Sequence, residues 1–218
     1  MYLVKTPRFI QRLFPHFVWK VPTKQRELFL TFDDGPIPEV TPWVLKTLEQ
    51  FNAKATFFCV GDNVKKHPEV YEQIIKKGHA VGNHTFNHFN GWQSESLPYC
   101  QNVQKCSKLV ESRLFRPPYG RLKPTQAQII NRSYDIIMWD VLSGDFDQKL
   151  SKEQCLRNVI DYARKGSVVV FHDSIKAKEN LMYVLPKVLE HFSKHGFTFR
   201  SLDSAKVKTR TYAVSESA

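Results

Sequence analysis

The chain has 218 residues, of which 42% are hydrophobic and 24% are charged, and its formal net charge is +11. These values fit one soluble globular domain, and no apolar run approaches the roughly 20 residues that a membrane-spanning helix needs. The positive charge favours anionic partners such as an acidic cell-wall polymer or a membrane surface, although it equally fits a charge that only maintains solubility. No nucleic-acid-binding motif is present, so we expect no nucleic-acid partner.

Residues 1–26 form a basic extension without an acidic residue, in which apolar side chains are interleaved with lysines and arginines. One interpretation is an amphipathic segment that rests on a membrane surface. We favour a cover packed on the domain, because Pro7 and Pro15 shorten any helix. Charges and prolines also interrupt the apolar run that a secretion signal requires. A cytoplasmic location is slightly favoured, while a mature form that has lost its leader remains open.

Strand-like and helix-like segments alternate from residue 28 onward. Short apolar runs predict strands at 28–32, 56–60, 79–83, 114–116, 134–141, 167–171 and 198–202. Amphipathic periodicity and cap signals predict helices at 41–51, 68–77, 95–113, 123–132, 151–165 and 178–195. This alternation indicates the α/β class, with about seven parallel strands that form a complete or incomplete barrel. We expect a monomer with a single domain at 27–206 and a polar tail at 207–218.

Polar residues follow the predicted strands, at the point where each strand ends. They are Asp33 and Asp34, His84 and His88, Arg116 and Tyr119, Asp145, and His172 and Asp173. In parallel barrels the chemistry is located at the carboxyl ends of the strands. We therefore expect these side chains to converge on one face of the domain.

His84 and His88 are four residues apart, a spacing that would place both on one side of a helical turn. Such a pair can bind one metal ion, although structural histidines at this spacing are also common. The sequence at Asp33 and Asp34 continues with glycine and proline, so a simple turn is the alternative there. One aspartate with two histidines would give three ligands and leave a position open, and this donor set suits zinc, cobalt or nickel.

Three segments of the chain resemble the first three motifs of the polysaccharide deacetylases, carbohydrate esterase family four. They are Thr31-Phe32-Asp33-Asp34-Gly35-Pro36, His84-Thr85-Phe86-Asn87-His88 and Arg116-Pro117-Pro118-Tyr119-Gly120. Val170-Phe171-His172 resembles the fifth motif, and all four occur in the family's order between about residues 28 and 173. The resemblance implies a distorted (β/α) barrel and removal of acetyl groups from N-acetylated amino sugars.

The resemblance also implies a role for each matching residue. Asp33 would be the general base and Arg116 its partner. Asp34, His84 and His88 would bind the metal, for which Zn²⁺ is expected and Co²⁺, Ni²⁺ or Mn²⁺ are alternatives. The backbone N–H of Tyr119 would bind the oxyanion, and His172 would be the general acid.

The fourth motif departs from the family's Asp-x-x-Asp-Trp pattern. Leu142 replaces the first aspartate, whereas Asp145 keeps the second and would orient Arg116 or His172. Phe146 replaces the tryptophan and would form an apolar wall of the substrate pocket. Val170 would line the acetyl pocket where leucine is usual, and Trp92 would either stack on a sugar ring or pack in the core.

The predicted substrate is therefore an acetylated glycan, either peptidoglycan or a chitin-like polymer or oligomer. Which glycan it is, and whether the bond is an amide or an ester, are open. One alternative is hydrolysis of another small amide, such as a cyclic imide or ureide, at the same site. A second alternative is a catalytically inactive homologue that binds carbohydrate.

Overall fold

Nine strands form the sheet in a computed structural model of the protein, which describes residues 2–202. The strands are β1 (Phe17–Val18), β2 (Glu27–Asp33), β3 (Thr56–Cys59), β4 (Ala80–Asn83), β5 (Leu114–Phe115), β6 (Asp135–Ile137), β7 (Val141–Leu142), β8 (Val168–His172) and β9 (Thr198–Phe199). Eight lie in the order β1-β6-β5-β4-β3-β2-β8-β7, and β9 pairs with the first residues of β2. Every strand pair is parallel, so all carboxyl ends face the same way.

Eight helices pack around this sheet. They are α1 (Arg8–Leu13), α2 (Thr41–Gln50), α3 (Gly61–Lys66), α4 (Pro68–Lys76), α5 (Ser96–Ser107), α6 (Pro124–Ile130), α7 (Lys152–Ile160) and α8 (Lys178–Lys194). Two short 3₁₀ turns, Gly91–Gln93 and Pro118–Gly120, lie in the loops after β4 and β5. Within residues 2–202, no helix is both long and apolar enough to cross a bilayer.

The predicted single-domain α/β fold with a distorted, incomplete barrel of parallel strands is confirmed, with nine strands where about seven were expected. All seven residues of β2 are buried, because the strand has neighbours on both edges, one of its faces packs in a core shared with α2 and α8, and Phe29 on its other face packs against side chains of other strands and loops. The longest helix, α8, buries residues spaced three or four apart, which is the pattern of one helix face. Burying each large aliphatic side chain contributes about 1.5–3 kcal/mol, so β2 and α8 anchor the end of the domain that bears the site.

The basic N-terminal segment takes part in the sheet. Phe17 and Val18 of β1 pair with Ile136 and Ile137 of β6. Upstream and downstream of β1, Lys5 and Lys20 form isolated antiparallel bridges to Val141 and Ser167. The segment therefore spans the gap between the two ends of the sheet. The domain boundaries at 27 and 206 remain predictions, and position 206 and the tail at 207–218 lie outside the described residues.

The prediction of one strand over 134–141 is wrong. This stretch forms β6 beside β5 and β7 beside β8, with three residues between them. The interruption has a structural cause, because the Met138 carbonyl accepts a hydrogen bond from Arg116 and its N–H donates to the Val18 carbonyl. Both partners come from distant parts of the chain, so an apolar run alone gave no sign of the break.

Candidate active site

The predicted site residues lie together at the carboxyl ends of the parallel strands. Asp33 ends β2 and His172 ends β8, and the two are register partners across these neighbouring strands. His84 follows β4, Arg116 follows β5, and Asp145 comes three residues after β7. The chain direction that parallel pairing imposes therefore explains why residues up to 139 positions apart, from 33 to 172, reach one face.

Asp34, His84 and His88 form a compact set of possible metal ligands. One ligand atom from each lies within 4.8 Å of the others. The Oδ1 atom of Asp34 lies 3.2 Å from Nε2 of His88 and 3.9 Å from Nε2 of His84. One oxygen and two imidazole nitrogens at this separation fit a zinc-type cation, with the partly exposed Asp34 and His88 leaving a side open to a further ligand.

The protonation states of His84 and Asp34 also suit a cation. Nδ1 of His84 donates a hydrogen bond to the Arg116 carbonyl at 2.8 Å, so Nε2 is left as a lone-pair donor. Burial lowers the pKa of His84 to about 4, which keeps the ring neutral at pH 7. Burial alone would raise the pKa of Asp34, but the His88 hydrogen bond and the nearby histidine charges hold it well below its usual range.

The two histidines do not lie on a helical turn, so that part of the sequence reasoning is wrong. They flank a loop in which Thr85 and His88 have positive φ angles of 63° and 54°. Asn83 Oδ1 accepts from the Thr85 N–H, and Asn102 Oδ1 accepts from two further loop N–H groups. These bonds offset the cost of left-handed backbone, which few residues other than glycine adopt readily.

The backbone after Asp33 is held by the buried carboxylate of Asp173, which directly follows the neighbouring strand β8. The Asp173 Oδ1 atom accepts from the Gly35 N–H at 3.0 Å, and Oδ2 accepts from the Thr41 hydroxyl at 2.6 Å. A Cβ atom at position 35 would overlap the Asp173 carboxylate, so glycine is required there. Asp34 itself has a φ of 85°. Asp173 therefore fixes the loop that turns the Asp34 side chain toward the histidines.

Asp33 forms a buried ion pair with Arg116. The Nη1 atom of Arg116 lies 2.6 Å from Oδ1 of Asp33 and also donates to Thr31 Oγ1 at 2.8 Å. The rest of the guanidinium donates to the Ile137 and Met138 carbonyls. Arg116 is completely buried, so its donors have no access to water, and each of its three side-chain nitrogen atoms donates to a protein oxygen. This network fixes the position of the Asp33 carboxylate.

His172 is paired with Asp145, the one aspartate that the fourth motif retains. Its Nδ1 atom lies 2.8 Å from Asp145 Oδ1, and its backbone N–H donates to Asp145 Oδ2 at 2.8 Å. Burial alone would lower the pKa of His172, but Asp145, together with the charges of Asp34 and Asp33, raises it to about 9. Of the two partners predicted for Asp145, the structure therefore pairs it with His172, while Arg116 donates to Asp33, Thr31 and the carbonyls of Ile137 and Met138.

Comparison with known proteins identifies the family to which this fold and site belong. The sequence profile of the polysaccharide deacetylase family matches residues 20–134. A peptidoglycan-N-acetylglucosamine deacetylase of Bacillus cereus is 31% identical over 191 residues, which cover 84% of this chain and 90% of the relative. The chain belongs to the polysaccharide deacetylase family. The family membership predicted from the sequence motifs is confirmed.

Two further relatives of this polysaccharide deacetylase extend the comparison. A chitooligosaccharide deacetylase of Azorhizobium caulinodans is 33% identical over 172 residues, covering 75% of this chain and 81% of the relative. The crystal structure of a peptidoglycan N-acetylglucosamine deacetylase bound to 4-naphthalen-1-yl-N-hydroxybenzamide superposes with a TM-score of 0.83 at 30% identity. That superposition covers 91% of this chain and 96% of the other, so the whole domain shares the family fold.

The three residues predicted to line the substrate pocket of the deacetylase differ in their contacts and in their exposure. The Phe146 ring packs edge-on against His172, with 4.9 Å between the ring centroids. Val170 lies two residues before His172 in β8 and is almost fully buried, so its side chain shares the face of the sheet that carries His172. Trp92 is 61% exposed, which removes the core-packing interpretation and leaves a sugar contact as a prediction.

Tyr119 contacts one of the two histidines of the proposed metal site. Its ring packs edge-on against His88 at 4.6 Å, and its φ of 60° is left-handed. The predicted role of its backbone N–H remains a prediction. No signal in the sequence indicated Asn83 and Asn102, whereas Asp173 was visible beside His172 after a strand but was assigned no role.

Proposed function

We propose that this chain is a metal-dependent deacetylase that hydrolyses the N-acetyl groups of amino sugars in peptidoglycan or a chitin-like glycan. One observation carries the proposal. The Asp34–His84–His88 set lies beside two ion pairs. Arg116 holds the carboxylate of Asp33, a possible base, and Asp145 holds the ring of His172, a possible acid. A base and an acid that are each held in position by a separate partner are what hydrolysis of an amide needs. The activities of the relatives support this substrate class.

We propose zinc as the metal that Asp34, His84 and His88 hold, with cobalt, nickel or manganese as possible substitutes. When bound, such an ion supplies a Lewis acid that acidifies water and polarises the acetyl carbonyl. The neutral His84 ring and the ionised Asp34 are already in the states that a cation requires. A chelator is therefore expected to abolish activity without unfolding the domain, because the strands and not the ion position the ligands.

The remaining steps are assigned to side chains and backbone of this chain. Asp33 accepts the proton of the attacking water, and Arg116 holds its carboxylate in place during the transfer. The Tyr119 backbone N–H donates a hydrogen bond to the acetyl carbonyl oxygen as it becomes negatively charged. His172, protonated and held by Asp145, donates a proton to the departing amine. Val170 and Phe146 provide apolar surface for the acetyl methyl group.

Acetate release from a glycan panel tests the proposed function. The panel contains chitooligosaccharides, peptidoglycan fragments, an O-acetylated glycan and small cyclic imides, each with zinc, with cobalt, and after chelation. Release from the N-acetylated glycans that disappears on chelation and returns with metal would support the proposal. Exclusive turnover of the imides would assign a different amide substrate. Binding of glycans without any acetate release at any metal would show an inactive homologue.

The His172–Asp145 pair predicts the alkaline limb of the pH–rate profile. His172 donates only when protonated, so activity should fall as pH rises through the pKa of about 9 that Asp145 helps to raise. In Asp145→Asn the carboxylate charge is lost, so the pKa of His172 falls and the limb should move to lower pH. The measurement is kcat/KM against pH, with Asp161→Asn as an exposed control of equal charge change. An unchanged limb in Asp145→Asn would remove His172 as the acid.

We also propose that the monomeric enzyme contacts an anionic membrane surface through α1. Phe9 and Leu13 are 64% and 68% exposed, no residue of α1 is buried, and Arg8 and Arg12 lie on the same short helix. Exposed apolar groups beside cations favour the interface of an anionic bilayer. Phe9→Ser/Leu13→Ser should reduce sedimentation with phosphatidylglycerol vesicles several-fold and leave turnover of a small oligosaccharide unchanged. Equal sedimentation of both proteins would refute the contact.

A further inference from the structure

We propose that Arg121 recognises a carboxylate on the glycan, so that the substrate is an anionic N-acetylated glycan and not a neutral chitin-like chain. In peptidoglycan such carboxylates come from lactyl ethers or stem peptides. The inference rests on the proposed function, because it concerns the glycan that occupies the same site. It decides between the two kinds of substrate that the relatives' activities leave open.

The Arg121 side chain lies between two exposed aromatic rings. Its guanidinium carbon lies 5.2 Å from the centre of the Trp92 ring and 5.9 Å from that of Tyr119. Both distances are within the range of a cation–π contact. The two rings are 61% and 60% exposed, so their faces and the guanidinium form a rim that a polymer can reach. We call Trp92, Tyr119 and Arg121 the aromatic rim.

The aromatic rim begins at a proposed metal ligand. The Tyr119 ring contacts the His88 ring at 4.6 Å, and Arg121 and Trp92 extend outward from there. A sugar whose acetyl group reaches the metal ligands can therefore place a neighbouring unit over this rim. Aromatic faces stack on sugar rings of any charge, whereas a guanidinium fork is specific for a carboxylate or phosphate. Arg121 is thus the member of the rim that can discriminate between glycans.

A buried glutamine fixes the two loops that carry the rim. Gln126 accepts from the Lys123 N–H and donates to the carbonyls of Gly91 and Ser94, and it is fully buried. A Cβ atom at position 91 would overlap the Arg121 carbonyl, so the two loops touch through backbone at that point. Trp92 and Arg121 are therefore held in register before any ligand binds, which reduces the entropy lost on binding.

Arg121 has no acidic partner of its own. Among residues 2–202, no carboxylate oxygen lies within 4.0 Å of its guanidinium, in contrast to Arg116 with its buried aspartate. Across the site a second exposed cation, Lys176, lies 6.0 Å from the Phe146 ring. Cations at both margins of the site, in a chain of net charge +11, favour binding of an anionic polymer. They are compatible with the proposed removal of the acetyl group.

The test compares two oligosaccharides of equal length, one neutral (chitotetraose) and one that carries muramyl lactyl carboxylates. Arg121→Ala should lower kcat/KM for the carboxylate-bearing substrate by about 10- to 100-fold, mainly through KM, and change that for chitotetraose by less than about threefold. Arg121→Lys should recover part of the loss, because it keeps the charge without the fork. Raising the salt concentration should lower the kcat/KM of the unsubstituted protein for the carboxylate-bearing substrate and leave its kcat/KM for chitotetraose nearly unchanged.

Arg132→Ala is the matched control, because Arg132 is exposed after α6, near the amino end of β6 and away from the site. It should leave both substrates unaffected. Equal losses on both substrates in Arg121→Ala, or no loss on either, would overturn the inference while acetate release by the unchanged protein still upheld the proposed function. Calorimetric binding of the deacetylated carboxylate-bearing product gives a second readout, and its affinity should fall in Arg121→Ala by a similar factor. Absence of acetate release from both substrates would instead overturn the proposed function, and this inference with it.

Discussion

Asp33→Asn is expected to lower kcat for acetate release by about 10²- to 10⁴-fold without loss of bound metal. Asparagine has the same shape, and its amide oxygen can still accept the Arg116 hydrogen bond that the Asp33 carboxylate accepts at 2.6 Å. It cannot, however, accept a proton from water. The loss should therefore appear in kcat with little change in KM, as for an interaction that is made only in the transition state.

The measurement pairs steady-state kinetics with the metal content of the purified variant. Asp34→Asn is the companion variant, since Asp34 lies next in the chain but offers its carboxylate to the histidine pair. It should lose metal affinity, and excess zinc should restore part of its activity. Excess zinc should leave Asp33→Asn inactive. If zinc rescued Asp33→Asn instead, Asp33 would be a ligand and the two adjacent roles would have to be exchanged.

Much of the site followed from the sequence because parallel strands impose it. Once Asp33, His84, Arg116 and His172 were each placed after a buried apolar run, their convergence needed no further information. The two departures in the fourth motif were also informative. Asp145 alone suffices to hold His172, with hydrogen bonds to both its ring and its backbone.

The features that were not predicted depend on contacts between distant segments. The loop between the histidines is shaped by Asn102, sixteen residues beyond Phe86, and not by any local helical preference. The strand β1 has only two residues, so no periodicity can reveal it, and its partner β6 lies 119 positions away, from 17 to 136. Local sequence patterns indicate which residues are buried, but they do not indicate which distant segments of the chain contact each other.

Arg116→Met is expected to destabilise the domain by about 3–5 kcal/mol, the largest effect on stability that the site predicts. The side chain is fully buried, and its loss leaves the Asp33 carboxylate without its counter-ion and the Ile137 and Met138 carbonyls without their donor. Unfolding in urea with a chelator present measures this cost without a contribution from bound metal. Arg132→Met, at an exposed position, should change the free energy of unfolding by less than about 0.5 kcal/mol.

The double variant Asp33→Asn/Arg116→Met separates the two causes of this loss. If the unpaired Asp33 carboxylate causes most of the loss in Arg116→Met, the free energy of unfolding of the double variant should exceed the value expected from adding the two single losses by about 1–3 kcal/mol. The part that is not recovered belongs to the carbonyls of residues 137 and 138, at the point where β6 ends and the chain leaves the strand. If the two single losses simply added in the double variant, Asp33 and Arg116 would not be energetically coupled. Arg116 would then act on the break between the two strands and not on the charge of the proposed base.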